Sequence, residues 1–281
     1  MRLATYELDG AAACGVVRGD RVVPLPGETV KRILERGPER WHEVVAQASG
    51  EGVALHDVRL LAPIPDPDKI LCIGLNYRDH AQETGMAAPA VPIVFAKFRN
   101  SLAGATDAIV LPDADEAVDY EAELAVVIGQ RCRGVQAADA LDYVAGAMAF
   151  NDVSARDLQM QASQWTMGKA IDTFAPCGPA LVFMDEIGDL QDLRVEARVN
   201  GETVQSGTTA SMIFTVAEII AFISSVMTLE PGDIIATGTP AGVGMARDPQ
   251  LFVKADDVVE IEIENIGLLA NPVVEHAAVR G

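Results

Sequence analysis

The sequence of 281 residues has little positive charge and little histidine. Lysine and arginine number 21 against 41 acidic residues, so the formal net charge is −20, and only four histidines are available as bases. Because nucleic acids and anionic membranes both reward a basic surface, this balance argues against both as partners. It does not exclude a small anionic substrate, since a site needs only local positive charge or a metal ion.

Cysteines and long apolar runs are also scarce. Cys14, Cys72, Cys132 and Cys177 form no C-x-x-C pair, which favours reduced thiols over a zinc site or a disulfide framework. No uncharged apolar run reaches the roughly 18 residues of a membrane-spanning helix. The start of the chain lacks the apolar segment of a signal peptide. We therefore expect a cytoplasmic protein.

Several common catalytic motifs are missing. The sequence has no G-x-S-x-G nucleophile elbow, and no G-x-G-x-x-G follows a predicted strand. Gly168-Lys169-Ala170 resembles the end of a P-loop, but Ser163 and Ala170 stand where that motif needs Gly and Ser or Thr. His42-Glu43 lacks the second histidine of a zincin helix. These absences remove the usual serine-hydrolase, nucleotide-binding and zinc-protease interpretations.

The fold class predicted from composition and spacing is α+β and rich in strands. Hydrophobic residues make up 49% of the chain, which is ample for a core. Short apolar runs recur without the regular strand–helix alternation of a parallel α/β fold. The proline-rich segment 63–69 disfavours helix and removes backbone donors. We therefore place a small N-terminal α+β domain at residues 1–62 and a catalytic domain at residues 68–276.

Two local patterns predict particular elements. Asn200-Gly201 lies between two strand-like runs and predicts a tight β-hairpin. Thr215 and Glu218 have the spacing of a capping box, ahead of an apolar stretch that reaches Met227. The clearest helix of the chain is therefore expected to begin at Thr215.

The most informative segment is a run of alternating carboxylates. Asp119, Glu121 and Glu123 would share one face of a strand, where glutamates about 7 Å apart repel one another. A hard divalent cation between them would relieve the repulsion, and Asp152, which follows a buried apolar run, is the best candidate for a third ligand. The alternative is an edge strand whose glutamates face water, and the E-x-E pattern alone leaves both open.

Three other features are ambiguous when taken singly. His80 and Glu83 lie three apart and could form a water-activating dyad on a helix or a plain surface pair. Lys169 could serve a site or simply pair with Asp172 in solvent. The glycine-rich segment 237–244 could offer backbone N–H groups to an anion or form an ordinary turn.

Taken in order, these segments resemble the fumarylacetoacetate hydrolase family. The resemblance covers roughly residues 68–274 and is nearest to the bacterial acylpyruvase and 2-hydroxyhepta-2,4-diene-1,7-dioate isomerase-like members. The segments that carry it are 73–83, 95–101, 119–124, 151–159, 168–173, 200–214 and 237–244. The resemblance implies a mixed β-sandwich roll with a small N-terminal domain, usually as a homodimer.

The resemblance also implies a ligand set and a pocket. It implies Mg²⁺ or Mn²⁺ held by Glu121, Glu123 and Asp152. His80 and Glu83 resemble a dyad carried on a closing lid, and Lys169 resembles a catalytic lysine. The residues that resemble substrate contacts are Lys97, Arg156, Gln159 and Thr239.

The activity implied is cleavage of a carbon–carbon bond in a 2,4-dioxo acid, such as an acylpyruvate or a fumarylpyruvate-like compound in aromatic catabolism. We hypothesise that the metal stabilises the pyruvate enolate that leaves, while His80, oriented by Glu83, activates water. Oxaloacetate decarboxylation and isomerisation of 2-hydroxyhepta-2,4-diene-1,7-dioate are alternatives at the same metal site. A non-catalytic scaffold is disfavoured, because all five dyad and ligand residues are present. Ala170, Thr208-Thr209 and Ser211 depart from the family pattern and put the substrate in doubt.

Overall fold

The computed structural model describes residues 1–113 and 117–276. The strands are β1 Arg2–Leu8, β2 Ala11–Arg18, β3 Arg21–Pro24, β4 Val53–Ala54, β5 Arg59–Leu60, β6 Ile70–Gly74, β7 Ile93–Lys97, β8 Leu102–Ala103, β9 Ile109–Leu111, β10 Val118–Asp119, β11 Ala122–Ile128, β12 Val144–Asn151, β13 Ser154–Ala155, β14 Ala175–Phe183, β15 Arg194–Val199, β16 Glu202–Thr208, β17 Ile234–Ala236, β18 Val258–Ile263 and β19 Gly267–Glu275. The helices are α1 Val30–Glu35, α2 Pro38–Val45, α3 Arg78–Glu83, α4 Arg156–Met160, α5 Thr166–Lys169 and α6 Val216–Val226. This strand-rich architecture confirms the predicted α+β class.

A twelve-stranded sheet forms the centre of the molecule, with the main order β4-β3-β2-β1-β14-β12-β11-β17-β6-β7. The N-terminal strands join it through β1, which pairs antiparallel with β14 and sets Arg2 opposite Val182. Strands from the N-terminal segment and strands that follow the proline-rich segment 63–69 therefore belong to one sheet. A second sheet of five strands has the order β16-β15-β18-β19-β9.

Strand β11 is buried on both faces and separates two cores. Leu124 and Val126 belong to a core shared with the five-stranded sheet, whereas Ala125 and Val127 belong to a core shared with Trp41 of the N-terminal segment. Alternate side chains of a strand point to opposite faces, so an uninterrupted apolar run is what two-sided burial requires.

The register of β11 with β12 brings the two candidate ligand segments together. Glu123 lies opposite Phe150, and the backbone N–H of Asp152 donates to the Glu121 carbonyl at 3.0 Å. On the other side of β11, β17 ends where the Thr237 N–H donates to the Leu124 carbonyl at 3.0 Å. The glycine-rich segment after β17 therefore starts beside the same carboxylates.

Two local predictions are confirmed, and one predicted strand differs in the structure. Thr215 and Glu218 form the full capping box at the start of α6, and Asn200-Gly201 turns between β15 and β16. The strand predicted for the run of alternating carboxylates is interrupted: β10 ends at Asp119 and β11 begins at Ala122, and between them the Glu121 N–H donates to the Asn151 side chain at 3.1 Å rather than to a backbone carbonyl. Among the described residues, every helix is too short or too polar to cross a membrane.

Candidate metal centre and active site

Three carboxylates meet at the ends of β11 and β12. Glu121, Glu123 and Asp152 each place one oxygen within 4.8 Å of the others. Their exposed fractions are 6%, 1% and 0%, so the alternative of glutamates facing water on an edge strand is wrong. The alternation of side chains along β11 and the antiparallel partner strand together place these groups on one side of the sheet.

The carboxylates of this cluster differ in how far neighbouring positive charges stabilise their ionised form. Burial opposes ionisation of Glu121, but Lys169 and Arg156 outweigh it and hold the pKa of that carboxyl well below its usual range. For Glu123, burial comes first and the charges of Asp152 and Glu121 add to it, so its pKa is raised well above its usual range. Glu123 accepts a hydrogen bond from the Gly238 N–H at 2.9 Å. Within residues 1–113 and 117–276, Glu123 is the one carboxylate of the three that forms no salt bridge with a lysine or arginine.

This donor set fits a hard divalent cation. Mg²⁺ and Mn²⁺ prefer oxygen ligands, and carboxylates held by buried strands supply them in fixed positions. A cation at the meeting point of Glu121, Glu123 and Asp152 would also remove the repulsion that raises the pKa of Glu123. The residues present therefore match the cofactor expected from the sequence.

Two lysines support the cluster from different sides. The Lys169 ammonium lies 2.7 Å from Glu121 and 2.7 Å from Asp152, which excludes the alternative of a solvated pair with Asp172. The Lys97 ammonium lies 2.5 Å from Asp152 Oδ1 and donates to the Val153 carbonyl at 3.0 Å. The sequence places Lys97 at the substrate, but the structure places its fully buried ammonium beneath Asp152 and outside the cavity lining.

Arg156 is held by a carboxylate whose role the sequence did not reveal. Asp119, fully buried, accepts hydrogen bonds from Arg156 Nε at 2.9 Å and Nη2 at 2.7 Å. Its oxygens also accept from the backbone N–H groups of Gly244 at 2.7 Å and Met245 at 3.0 Å. Asp119 therefore fixes both the guanidinium and the end of the glycine-rich segment. The motif around Asp119 gave a signal, but nothing in it identified these partners.

His80 and Glu83 form the predicted pair on α3. His80 Nδ1 lies 2.7 Å from Glu83 Oε1, and Glu83 Oε2 accepts from the Gly242 N–H at 2.9 Å. A carboxylate at Nδ1 favours the tautomer that carries its proton there, which leaves the lone pair of Nε2 available. His80 lines the same cavity as Glu121 and Glu123, so the geometry suits proton transfer.

The cavity beside the carboxylates has a volume of about 370 Å³ and is lined by both polar and apolar side chains. The polar lining includes the predicted residues Arg156, Gln159, Lys169 and Thr239. Arg156 Nη1 donates to Gln159 Oε1 at 3.0 Å, so these two side chains orient each other. The apolar lining includes Leu75, Met86, Phe95, Met160, Trp165 and Met245.

A second residue that the sequence did not predict is buried next to Thr239. Gln205 on β16 is 1% exposed and joins the ligand strand to the glycine-rich segment. Its amide accepts from the Ala122 N–H at 2.9 Å and donates to Thr239 Oγ1 and the Pro240 carbonyl, each at 2.8 Å. The sequence signal for Gln205 was its place in the segment 200–214 that carries the family resemblance, and that signal did not single out this residue.

Two family models match the chain, one over each of its two segments. Residues 69–274 match the family model described as fumarylacetoacetate (FAA) hydrolase C-terminal, and residues 1–63 match one described as Rv2993c-like, N-terminal. The chain is 45% identical over 271 residues to the mitochondrial oxaloacetate tautomerase Fahd2a of Rattus norvegicus, a match that covers 95% of this chain and 86% of the relative.

Two solved structures illustrate the range of named activities. The 2-hydroxyhepta-2,4-diene-1,7-dioate isomerase of Mycobacterium marinum is 37% identical, with a TM-score of 0.81 over 98% of this chain and 99% of the other. The maleylpyruvate hydrolase of Sphingobium sp. SYK-6, in complex with manganese(II) and pyruvate, is 32% identical, with a TM-score of 0.83 over 98% and 99%.

Proposed function

We propose that this chain, which belongs to the fumarylacetoacetate hydrolase family, is a divalent-metal-dependent enzyme that interconverts the enol and keto forms of oxaloacetate or a closely related 2-oxo acid. The observation that carries the proposal is the position of His80. Its imidazole lines the cavity that Glu121 and Glu123 also line, and Glu83 holds it at 2.7 Å. An imidazole that can accept and return a proton thus lines the cavity in which a 2-oxo acid would bind.

The chain's own groups divide the work of such a reaction. A divalent cation held by Glu121, Glu123 and Asp152 would act as a Lewis acid toward the 2-oxo group and make a C3 proton easier to remove. His80 Nε2 takes that proton, and the resulting imidazolium is stabilised by the Glu83 carboxylate until the proton returns to oxygen or to C3. Arg156, Lys169 and Thr239 supply donors for the substrate's oxygens.

Similarity supports tautomerisation over the other reactions of the family. The relative at 45% identity is named as an oxaloacetate tautomerase and matches this chain over both the N-terminal segment and the catalytic region. Tautomerisation needs proton transfer but no attacking water and no bond cleavage between carbons. His80 and the cation site are sufficient for it.

Hydrolysis of an acylpyruvate is the second candidate, and one observation favours it. Phe95, Trp165 and Met160 line the cavity, and the ring centroids of Phe95 and Trp165 lie 5.3 Å apart. These apolar side chains suit the alkyl or aryl end of an acylpyruvate better than the second carboxylate of oxaloacetate. In that reaction His80 would deprotonate a water molecule, and the bond between the distal carbonyl and the pyruvate carbon would break.

A direct assay separates these candidates. The Mn²⁺-loaded protein is mixed with the enol form of oxaloacetate and, separately, with acetylpyruvate, and enol absorbance and free pyruvate are followed together. Loss of the oxaloacetate enol signal without pyruvate indicates a tautomerase. Pyruvate with acetate from acetylpyruvate indicates a hydrolase, and pyruvate with CO₂ from oxaloacetate indicates a decarboxylase. No metal-dependent change in either substrate would contradict the proposal.

His56 provides a matched control for the role of His80. Its side chain is 79% exposed and is not among the residues that line the cavity, so His56→Ala should retain full turnover. His80→Ala should lose turnover while both variants keep their affinity for Mn²⁺. An equal effect of the two substitutions would show that proton transfer does not pass through His80.

A further inference from the structure

The orientation of the Gln205 side-chain amide is fixed by two backbone groups. Gln205 Oε1 accepts from the Ala122 N–H at 2.9 Å, and Nε2 donates to the Pro240 carbonyl at 2.8 Å. A backbone N–H can only donate and a backbone carbonyl can only accept. Exchanging the amide oxygen and nitrogen would set donor against donor at Ala122 and acceptor against acceptor at Pro240. The amide therefore has one permitted orientation.

This orientation determines whether the Thr239 hydroxyl accepts or donates in its hydrogen bond with Gln205. The second hydrogen of Gln205 Nε2 points at Thr239 Oγ1 at 2.8 Å, so the hydroxyl must accept there. A threonine hydroxyl has one proton of its own to donate. Within residues 1–113 and 117–276, no protein group accepts that proton, and Thr239 lines the cavity.

We infer that Gln205 is a positioning residue that occupies one acceptor position of Thr239 Oγ1 and so favours donation of the Thr239 hydroxyl proton into the cavity, toward an anionic oxygen of the substrate. The inference rests on the proposed function, because it assumes that a 2-oxo acid occupies the cavity. A hydroxyl with no fixed hydrogen-bond partner could either accept or donate, so it would discriminate poorly between an anionic oxygen and a neutral donor group. One held as a donor favours a carboxylate or enolate oxygen over a neutral donor group.

The surroundings of Gln205 leave it little freedom to move. Strand β16 packs closely along the glycine-rich segment: a Cβ on Gly207 would lie 2.5 Å from Pro240 Cβ, and one on Gly242 would lie 2.2 Å from the Val204 carbonyl oxygen. Arg247 also donates to that carbonyl at 3.0 Å. The amide is therefore held between two backbones in contact, which keeps Thr239 in place before a substrate arrives.

The test measures oxalate binding by isothermal titration calorimetry to protein saturated with Mn²⁺. Oxalate is a planar dianion that resembles the enolate of pyruvate. Thr239→Val should weaken oxalate binding by roughly 10- to 100-fold, the range for one hydrogen bond to a charged group. Gln205→Glu keeps an acceptor for Ala122 but turns the Thr239 proton away from the cavity, so a loss of similar size is expected. Thr239→Ser should restore binding to within about threefold of wild type.

The double variant decides whether Gln205 acts through Thr239. If it does, Thr239→Val with Gln205→Glu should bind oxalate no more weakly than the weaker single variant. Losses that multiply, or a Gln205→Glu variant that binds like wild type, would overturn the inference. Gln191→Glu is the matched control, because Gln191 also bridges backbone groups, those of Thr209 and Val216, but lies outside the cavity lining.

Two further measurements keep the outcome decisive. If Gln205→Glu does not fold, Gln205→Met replaces it, with a smaller loss expected that disappears in the Thr239→Val background. Urea unfolding of the metal-free single and double variants tests the hydrogen bond without any ligand, and additive effects there would overturn the inference. Failure of the Mn²⁺-loaded wild type to bind oxalate would instead contradict the proposed function, and the donor role of Thr239 would fall with it.

Discussion

Replacing Asp119 with asparagine should destabilise the protein by an amount that its contacts allow us to work out. Asp119 Oδ1 accepts from the N–H groups of Tyr120 at 2.9 Å and Gly244 at 2.7 Å, while Oδ2 accepts from Arg156 and from Met245 at 3.0 Å. An asparagine can keep an oxygen toward Arg156 only by presenting its NH₂ to Tyr120 and Gly244. Two buried donors then lose their acceptor.

The expected magnitude follows from these losses. Each buried donor left unpaired costs about 1–3 kcal/mol, and the buried ion pair with Arg156 becomes a weaker bond to a neutral amide. Breaking a buried pair typically costs about 3–5 kcal/mol, so we expect a loss of about 4 kcal/mol in the free energy of unfolding. For a chain of this size that corresponds to a melting temperature roughly 10 °C lower.

The assay is urea and thermal unfolding of wild type and Asp119→Asn with EDTA present, so that cation binding does not add to the stability measured. Asp157→Asn is the matched control, because Asp157 lies on α4 beside Arg156 but is exposed, and its effect should stay within about 0.5 kcal/mol. A loss below about 1 kcal/mol for Asp119→Asn would refute the assignment of Asp119 as the buried anchor of Arg156 and the glycine-rich segment.

Three other predictions concern catalysis, cation binding and folding. His80→Ala should lower turnover of enol-oxaloacetate by roughly 10²- to 10⁴-fold with unchanged Mn²⁺ affinity by calorimetry, and retained turnover would contradict its role as proton carrier. Glu123→Gln should weaken Mn²⁺ binding at least 10-fold in the same titration, since a neutral amide replaces a buried ligand candidate; wild-type affinity would place the cation elsewhere. Thr215→Ala should cost about 1 kcal/mol in urea unfolding at pH 7, and an unchanged midpoint would contradict the cap. Hydrogen bonds from the Thr215 N–H and hydroxyl hold the pKa of Glu218 below its ordinary 4.5, so this contribution should be present above that pH and be lost as the pH falls through the folded-state pKa.

The fold was predictable where local pattern and final structure agree. The hairpin at Asn200-Gly201 and the capped helix α6 depend on residues close in sequence, and both formed as predicted. Strand β14 was not predicted, although it joins the N-terminal strands to the rest of the sheet. It contains Pro176, Gly178 and Pro179, residues that disfavour a central strand. The register shift against β12 between Ala147 and Ala149 accommodates this segment.

In the candidate site, too, the features that depend on local spacing were predictable and the contacts between distant residues were not. Glu121 and Glu123 could be placed on one side of a strand from their spacing, because alternation is a local property of the backbone. The partners of Asp119 and Gln205 could not be placed, since Gly244 and Thr239 lie 125 and 34 residues away along the chain. The family resemblance implied that Lys97 contacts the substrate, and a sequence gives no measure of how deeply a side chain is buried. The Lys97 side chain reaches Asp152 from below instead.

The charges of the buried side chains argue for an order of binding at this site. Four carboxylates, from Asp119, Glu121, Glu123 and Asp152, face three cationic side chains, from Lys97, Lys169 and Arg156. With all of them ionised the cluster carries one negative charge, and with Glu123 protonated, which its raised pKa favours, the cluster carries none. Neither state attracts an anionic 2-oxo acid, whereas a bound divalent cation gives the cluster a positive net charge. Because charges interact strongly in a buried site, the cation should have to bind first, and the anionic substrate can then enter a cavity whose net charge attracts it.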